Sequence, residues 1–372
     1  MQPEELRALG DLAGQAIGGI AAGVHEVHAG IAERAFKGVG VMGTPVRLLH
    51  DRISAGSYKA VKSALRGAAR AGANAASRTR PPDSPSLQAS IRGRLAIGAL
   101  NGAFGDRLSK PLTCEMCVAR PIEDPTDRLA IFLHGLCETE DAWWLGSRRH
   151  QPYGLRLQAE LGWTPVYVRY NSGRQISDNG RELARLLDQL VGDWPVEVSE
   201  IALIGHSMGG LVARCACHHG IDQPWVELVR HVFMLGTPHR GAPLAKAARK
   251  ASARLEVLPE TRALASMLNL RSLGIQDLCA DCEFPYLPGA NQYFVSATVS
   301  REIDASAGRL IGDLLVLPPS AWDQAGRGQR LTFPLDHYRH VGSANHFDLL
   351  NHPAIYEQIS RWLSRRALPV PA

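Results

Sequence analysis

No stretch of about 20 strongly apolar residues, the length a bilayer-spanning helix needs, occurs in this 372-residue chain. The apolar run nearest the N-terminus, residues 12–24, is mostly glycine and alanine, and the first ten residues, MQPEELRALG, are acidic rather than basic. The expectation is neither a signal peptide nor a transmembrane helix. Cysteine is sparse and odd in number, seven in all, with no dense framework. That excludes a small disulfide-stapled secreted scaffold and fits a reducing compartment. Aromatics are only 6% of the chain, and lysine supplies only six of the 41 basic residues. The lysine shortage, with the abundant alanine and glycine, suggests a GC-rich bacterial genome and says nothing of function.

The composition that remains is that of a globular protein with a sizeable core: 45% hydrophobic and 21% charged residues. The net charge of +5 is uneven. Residues 1–110 carry 15 basic and 8 acidic side chains, a net of +7, and the remainder carries −2. A basic helical arm can meet an anionic membrane or lipid surface peripherally, or can be a solvated helix face. No stacking aromatics or nucleic-acid motif accompany the charge, so no nucleic-acid partner is expected. The expected location is cytoplasmic, with peripheral membrane association through these helices left open.

Residues 1–70 read as a helical N-terminal extension, with apolar residues at helical spacing such as Val24, Val27 and Ile31, or Tyr58, Val61 and Leu65. Residues 71–90, rich in small polar residues and proline, read as a linker, and 91–111 as a short helical connection. From Leu112 to about residue 368 short apolar runs alternate with helical patterns. LAIFLHG (129–135), PVYVRYN (165–171), IALIGHS (201–207), HVFMLGTP (231–238) and QYFVSAT (292–298) read as buried strands. Leu183, Leu186, Leu187 and Leu190 mark one helix face between two of them. The predicted fold class is α/β, a mostly parallel sheet flanked by helices, with ligands bound beyond the carboxyl ends of the strands. Residues 242–290 are too long for an ordinary connection and read as a helical cap insertion or a peripheral helix pair.

Ser207 lies between Gly205 and Gly209 where a strand pattern turns helical. In a chain with 36 glycines a G-x-S-x-G alone is weak, but this context is that of a nucleophile on a sharp turn. A serine needs a general base, and the base an orienting carboxylate, in the chain order Ser, acid, His. Asp313 follows the strand at 292–298, and His346 sits in a polar loop before a final helix. His337, His340 and His352 compete with His346, and Asp304, Asp323, Asp336 and Asp348 with Asp313. His352 reads as a cap of the last helix, and Asp348 as a residue near a helix N-terminus. The oxyanion donors expected are the backbone N–H groups of Met208 and Leu136, with His134 structural. Trp143 and Trp144 fit either a pocket wall or the core. The pairs Cys114/Cys117 and Cys279/Cys282 could bind zinc or form local disulfides, but they are far apart and read as unrelated thiols. No metal or organic cofactor is expected.

FLHGLCETEDAWW, IGHSMGGLVAR, LGTPHRGAP, GDLLV and NHFDLLNHPAIYEQISRWL, taken in order, resemble the α/β-hydrolase superfamily. Within it they resemble bacterial serine lipases and esterases related to GPI inositol-deacylase-like proteins and triacylglycerol lipases. The resemblance covers roughly residues 112–366. It implies a serine hydrolase of carboxylic esters or lipids, with Ser207, Asp313 and His346 as triad and with His239 and Arg240 structural. One departure is that Cys137-Glu138 follows Leu136 where many lipases have a glycine. An acyltransferase using the same acyl-enzyme, or a non-catalytic surface-binding scaffold, are the alternatives.

Overall fold

The computed structural model describes residues 1–15, 44–108, 110–241, 272–278, 280–301, 313, 315–323 and 333–364. The helical stretch expected at 244–258, in the cap, lies outside them. The chain divides into two compact units.

The first unit comprises the described parts of 1–93 and 107–113. Residues 3–15 form helix α1, and α2 runs Thr44–Arg78. The two pack closely because small residues meet. A Cβ added to Gly10 would come within 2.2 Å of the Ala73 methyl. Arg70 Nε bonds Asp11 at 2.6 Å, and the fully buried Glu5 accepts hydrogen bonds from the Gln2, Ser86 and Leu87 donors. The linker expected from residue 71 therefore starts later. Residues 72–78 stay helical, since their alanines favour helix over the small polar reading, and the break falls after Arg78.

The second unit holds the sheet. Helix α3 spans Ile91–Phe104, and residues 94–106 group with the sheet, so this unit begins before the expected residue 112. The reason is burial: Ile97 and Asn101 are 1% exposed, and the Asn101 side-chain oxygen Oδ1 takes the Cys114 N–H at 2.8 Å. The strands are β1 (Cys117–Val118), β2 (Arg128–Leu133), β3 (Thr164–Arg169), β4 (Glu200–His206), β5 (Val229–Leu235), β6 (Asn291–Thr298) and β7 (Tyr338–Gly342). Their order is β1-β3-β2-β4-β5-β6-β7, parallel throughout except for β1, which pairs antiparallel with β3.

Alternate strand residues feed two cores, as the two-residue period of a strand requires. Leu129, Ile131, Leu203, Val232 and Met234 join helices α5 (Ile176–Gly192) and α6 (Met208–His219) on one face. Phe132, Ile204, Phe233, Tyr293 and Val295 join α4 (Tyr153–Leu161) and the C-terminal helix Pro353–Ser364 on the other. Leu183 and Leu187 of α5 are buried, while Leu186 and Leu190 pack at its margin. This parallel, doubly covered sheet with strand–turn–helix at β4 is the α/β-hydrolase fold. Among the described residues no helix is long and apolar enough to cross a membrane.

Candidate active site

Ser207 directly follows β4 with φ 53° and ψ −123°, a left-handed conformation that costs on the order of 1–3 kcal/mol for a residue with a Cβ. Its N–H continues the β4–β5 ladder to the Leu235 carbonyl at 2.8 Å, and α6 starts at the next residue. The flanking glycines are there for space. A Cβ at Gly205 would lie 2.3 Å from the Gly210 nitrogen, and one at Gly209 would lie 2.4 Å from the Leu133 carbonyl oxygen. The helix can thus lie against the strand ends while Ser207 stays half-buried between buried neighbours.

The structure brings Asp313 and His346 together. His346 Nδ1 is 2.7 Å from Asp313 Oδ2, and the His346 N–H bonds the Asp313 carbonyl at 2.9 Å. The other carboxylate oxygen, Oδ1, takes the Leu315 and Val316 N–H groups at 3.0 and 2.7 Å. Both side chains are nearly fully buried, 2% and 3% exposed. His346 Nε2 has no hydrogen-bond partner among the described residues, so the nitrogen opposite the carboxylate is open to a serine proton.

The rivals are engaged elsewhere. His340 contacts the Ser296 and Thr298 hydroxyls, His337 Nδ1 faces the Gln292 carbonyl, and His352 Nδ1 accepts the Ala354 N–H of the last helix. Asp348 closes a capping box with Asn345. Asp323 accepts the Tyr286 hydroxyl and pairs with Arg240 at 2.7 Å, and Asp336 lies in the short helix before β7. Asp304 lies outside the described residues. His134 is stacked on Tyr170, and burial, despite a bond to the Gly135 carbonyl, holds it below the usual imidazole range. Burial, then the charges of Arg214 and Arg240, hold His239 well below it, and Arg214 bonds its Nδ1 at 2.8 Å.

After β2 the chain turns sharply at Gly135–Glu138. A methyl added to Gly135 would lie 3.0 Å from the Ser207 Cβ, so this turn sits against Ser207. The Gly135 N–H is held by Glu138 Oε2 at 2.6 Å and the Cys137 N–H by the Ser172 hydroxyl at 3.1 Å. Neither the Leu136 nor the Met208 N–H has a partner among the described residues. Cys137 has φ 62°, a backbone conformation that glycine adopts without the cost of a Cβ. The segment that follows is anchored by buried ion pairs: Asp141 with Arg94 at 2.6 Å and Arg120 at 2.8 Å, and Glu140 with Arg169. Trp143 is 1% exposed and packs edge-on against Phe132, so it belongs to the core.

Sequence reasoning missed Glu138 and His206. Glu138 Oε2 also lies 3.1 Å from His206 Nδ1, and both residues are buried. Burial is the largest single influence and works against charge on each, but the partner's charge and hydrogen bond together with the Gly135 N–H for Glu138, and with the His346 carbonyl and Asp313 for His206, outweigh it. Glu138 is held below the usual carboxylate range and His206 above the usual imidazole range. The signs give a stability window. The lowered Glu138 stabilises above its ordinary value of 4.5 and loses this as pH falls through the depressed one. The raised His206 stabilises below 6.5 and loses this as pH rises through the elevated one. The melting-temperature gap between the wild type and Glu138→Gln is therefore expected to peak between these pH values and shrink on both sides. A gap independent of pH would show that the pair is not charged.

Among the described residues no group of His, Cys, Asp or Glu could hold a metal ion, and the six described cysteines are unbridged. Burial pushes the Cys114 thiol up to about 12. Cys279 lies outside the described residues.

Residues 172–285 match the model of the PGAP1-like alpha/beta domain. That stretch takes in Ser207 but not Asp313 or His346. A triacylglycerol lipase of Burkholderia plantarii is 30% identical over 161 residues, 41% of this chain and 40% of that protein. A triacylglycerol lipase of Pseudarthrobacter phenanthrenivorans is 32% identical over 125 residues, 31% of this chain and 34% of that protein. The chain thus spans less than half the length of these relatives. Among solved structures, a Bacillus licheniformis lipase in its propeptide form is similar at 18% identity, covering 69% of this chain and 56% of that one, with a TM-score of 0.49. The relatives are of the kind that the five motifs resemble.

Proposed function

We propose that this chain is a serine hydrolase of carboxylic esters, lipids among them, working through an acyl-enzyme on Ser207. The observation that carries the reading is the buried Asp313–His346 pair, bonded at 2.7 Å on Nδ1 and open on Nε2. The triacylglycerol lipase relatives support the choice of ester over other acyl substrates.

In this reading His346 Nε2 takes the Ser207 proton as the serine oxygen attacks the ester carbonyl. The carbonyl π pair moves onto oxygen, and the Leu136 and Met208 N–H groups meet the oxyanion, joined by the positive end of α6. Asp313 keeps the proton on Nδ1 and stabilises the imidazolium. Nε2 then gives its proton to the departing alkoxide, leaving an acyl-serine and an alcohol. Water, losing a proton to Nε2, attacks the acyl-serine, and the acid leaves as Ser207 regains its proton. Every proton shuttles through one nitrogen, so the residues here need no cofactor to complete the cycle.

The test is hydrolysis of p-nitrophenyl esters from acetate to palmitate, together with mass analysis after a fluorophosphonate. Turnover at some chain length, and a single adduct on the Ser207 peptide, are expected. No turnover at any length and no adduct would sink the reading.

A further inference from the structure

Two buried polar residues beneath the elbow take no part in these proton transfers. Glu138 closes the oxyanion turn, and His206 is the last residue of β4, next to the nucleophile. One oxygen of Glu138, Oε2, serves both the Gly135 N–H at 2.6 Å and His206 Nδ1 at 3.1 Å. The other ring nitrogen of His206, Nε2, faces the carbonyl oxygen of His346 at 3.1 Å.

A carbonyl only accepts, so Nε2 must carry hydrogen. A neutral imidazole has one N–H and leaves Nδ1 a bare acceptor facing a carboxylate oxygen. An imidazolium donates to both oxygens. Opposite an ionised Glu138 it also leaves no buried charge alone, which is the condition under which such a pair is tolerated.

We propose that Glu138 and His206 form an ion pair that positions the oxyanion turn and the His346 loop on opposite sides of Ser207. The proposal rests on the ester-hydrolase reading and goes beyond the triad. Glu138 fixes the Gly135 N–H, and with it the turn that presents the next N–H, that of Leu136. His206 fixes the His346 carbonyl while Asp313 holds the His346 N–H and Nδ1. The catalytic imidazole is thus held on three polar groups, and only Nε2 is left open. The two loops are distant in sequence, and the pair links them directly behind the nucleophile. The His206 and His346 rings lie 4.7 Å apart, with Asp313 the other charge near both. The edge of Trp143 lies 6.4 Å from the His206 ring. Neither Glu138 nor His206 is placed to touch substrate; both are positioning residues.

Glu138→Gln is the deciding variant because both contacts fall on one oxygen. If the amide presents its oxygen there, it keeps Gly135 but gives His206 no counter-charge, so a neutral His206 can donate to only one of its two acceptors. If it presents its NH2 group, neutral His206 is satisfied but the Gly135 N–H meets another donor. Volume is unchanged, so a residue that only filled space would tolerate the swap. The expected result is a kcat lower by about tenfold or more for a p-nitrophenyl ester, with KM within about threefold, since misplaced catalytic groups act mainly on the chemical step. A kcat equal to the wild type, or a loss carried by KM, would overturn the positioning role. A second measurement needs no variant that folds and no turnover. Nitrogen-15 NMR of the wild-type imidazoles at pH 6, below the ordinary imidazole value, should show hydrogen on both nitrogens of His206, and a single N–H there would overturn the ion pair. A wild type that hydrolyses no ester would sink the hydrolase reading and the positioning role with it, and the NMR result would still decide the pair.

Discussion

Ser207→Ala is expected to lower kcat/KM for p-nitrophenyl esters by at least about 10⁴-fold while the melting curve stays that of the wild type. The loss is large because no second nucleophile waits at the same place. His346 could only activate a water directly, without the covalent step that splits the reaction into two easier halves. What survives would be the contribution of the Leu136 and Met208 N–H groups and of substrate binding. The fold should not respond, since among the described residues the hydroxyl of Ser207 has no hydrogen-bond partner and alanine accepts the same backbone at a similar cost. Activity within a factor of ten of the wild type would mean that the nucleophile lies elsewhere.

Asp313→Asn is expected to reduce kcat by about 10⁴-fold, for a reason that the geometry makes specific. Oδ1 of Asp313 accepts two backbone N–H groups. The amide oxygen of asparagine must stay with those donors, so its NH2 group is turned toward His346 Nδ1. That nitrogen then has to accept, the ring proton moves to Nε2, and the base is blocked on the side that faces the serine. The backbone contacts of residue 313 survive, so the protein should fold normally and still bind substrate. Kinetics at neutral pH beside a thermal melt would check this. A loss of only a few-fold would show that Asp313 merely fills the site and that another carboxylate orients His346.

Most of the sheet could be read from the chain because its interior strands are buried on both faces, and a run such as Ile201-Ala202-Leu203-Ile204 has few other uses. β2 through β6 begin within about two residues of their expected positions. β1 escaped, being a two-residue edge strand, Cys117–Val118, whose existence depends on β3 lying beside it. The end of α2 was misplaced because Gly72 and Asn74 look like breakers until Ala73 is seen to need no more room than Gly10 leaves. Ser207 and His346 were legible through their flanks, a glycine pair and a following helix. Asp313 had several rivals, and only the fold shows that its carboxylate reaches Nδ1. Glu138 and His206 left no trace, since each looks like a polar residue at a strand end, and no spacing rule ties positions so far apart. A buried acid one turn beyond an HG step, beside a histidine preceding the nucleophile, is the pattern to look for elsewhere.

The order in which these groups occur along the chain has a consequence for the timing of activity. Ser207 directly follows β4, near the middle of the sheet, whereas His346 follows β7 at its edge, after β5, β6 and Asp313 have been laid down. A chain emerging from the ribosome therefore exposes its serine long before the base that would activate it has been made. On the proposed mechanism, competence would arrive only once His346 takes its place beyond the last strand, so the order of synthesis would itself keep the growing chain inert.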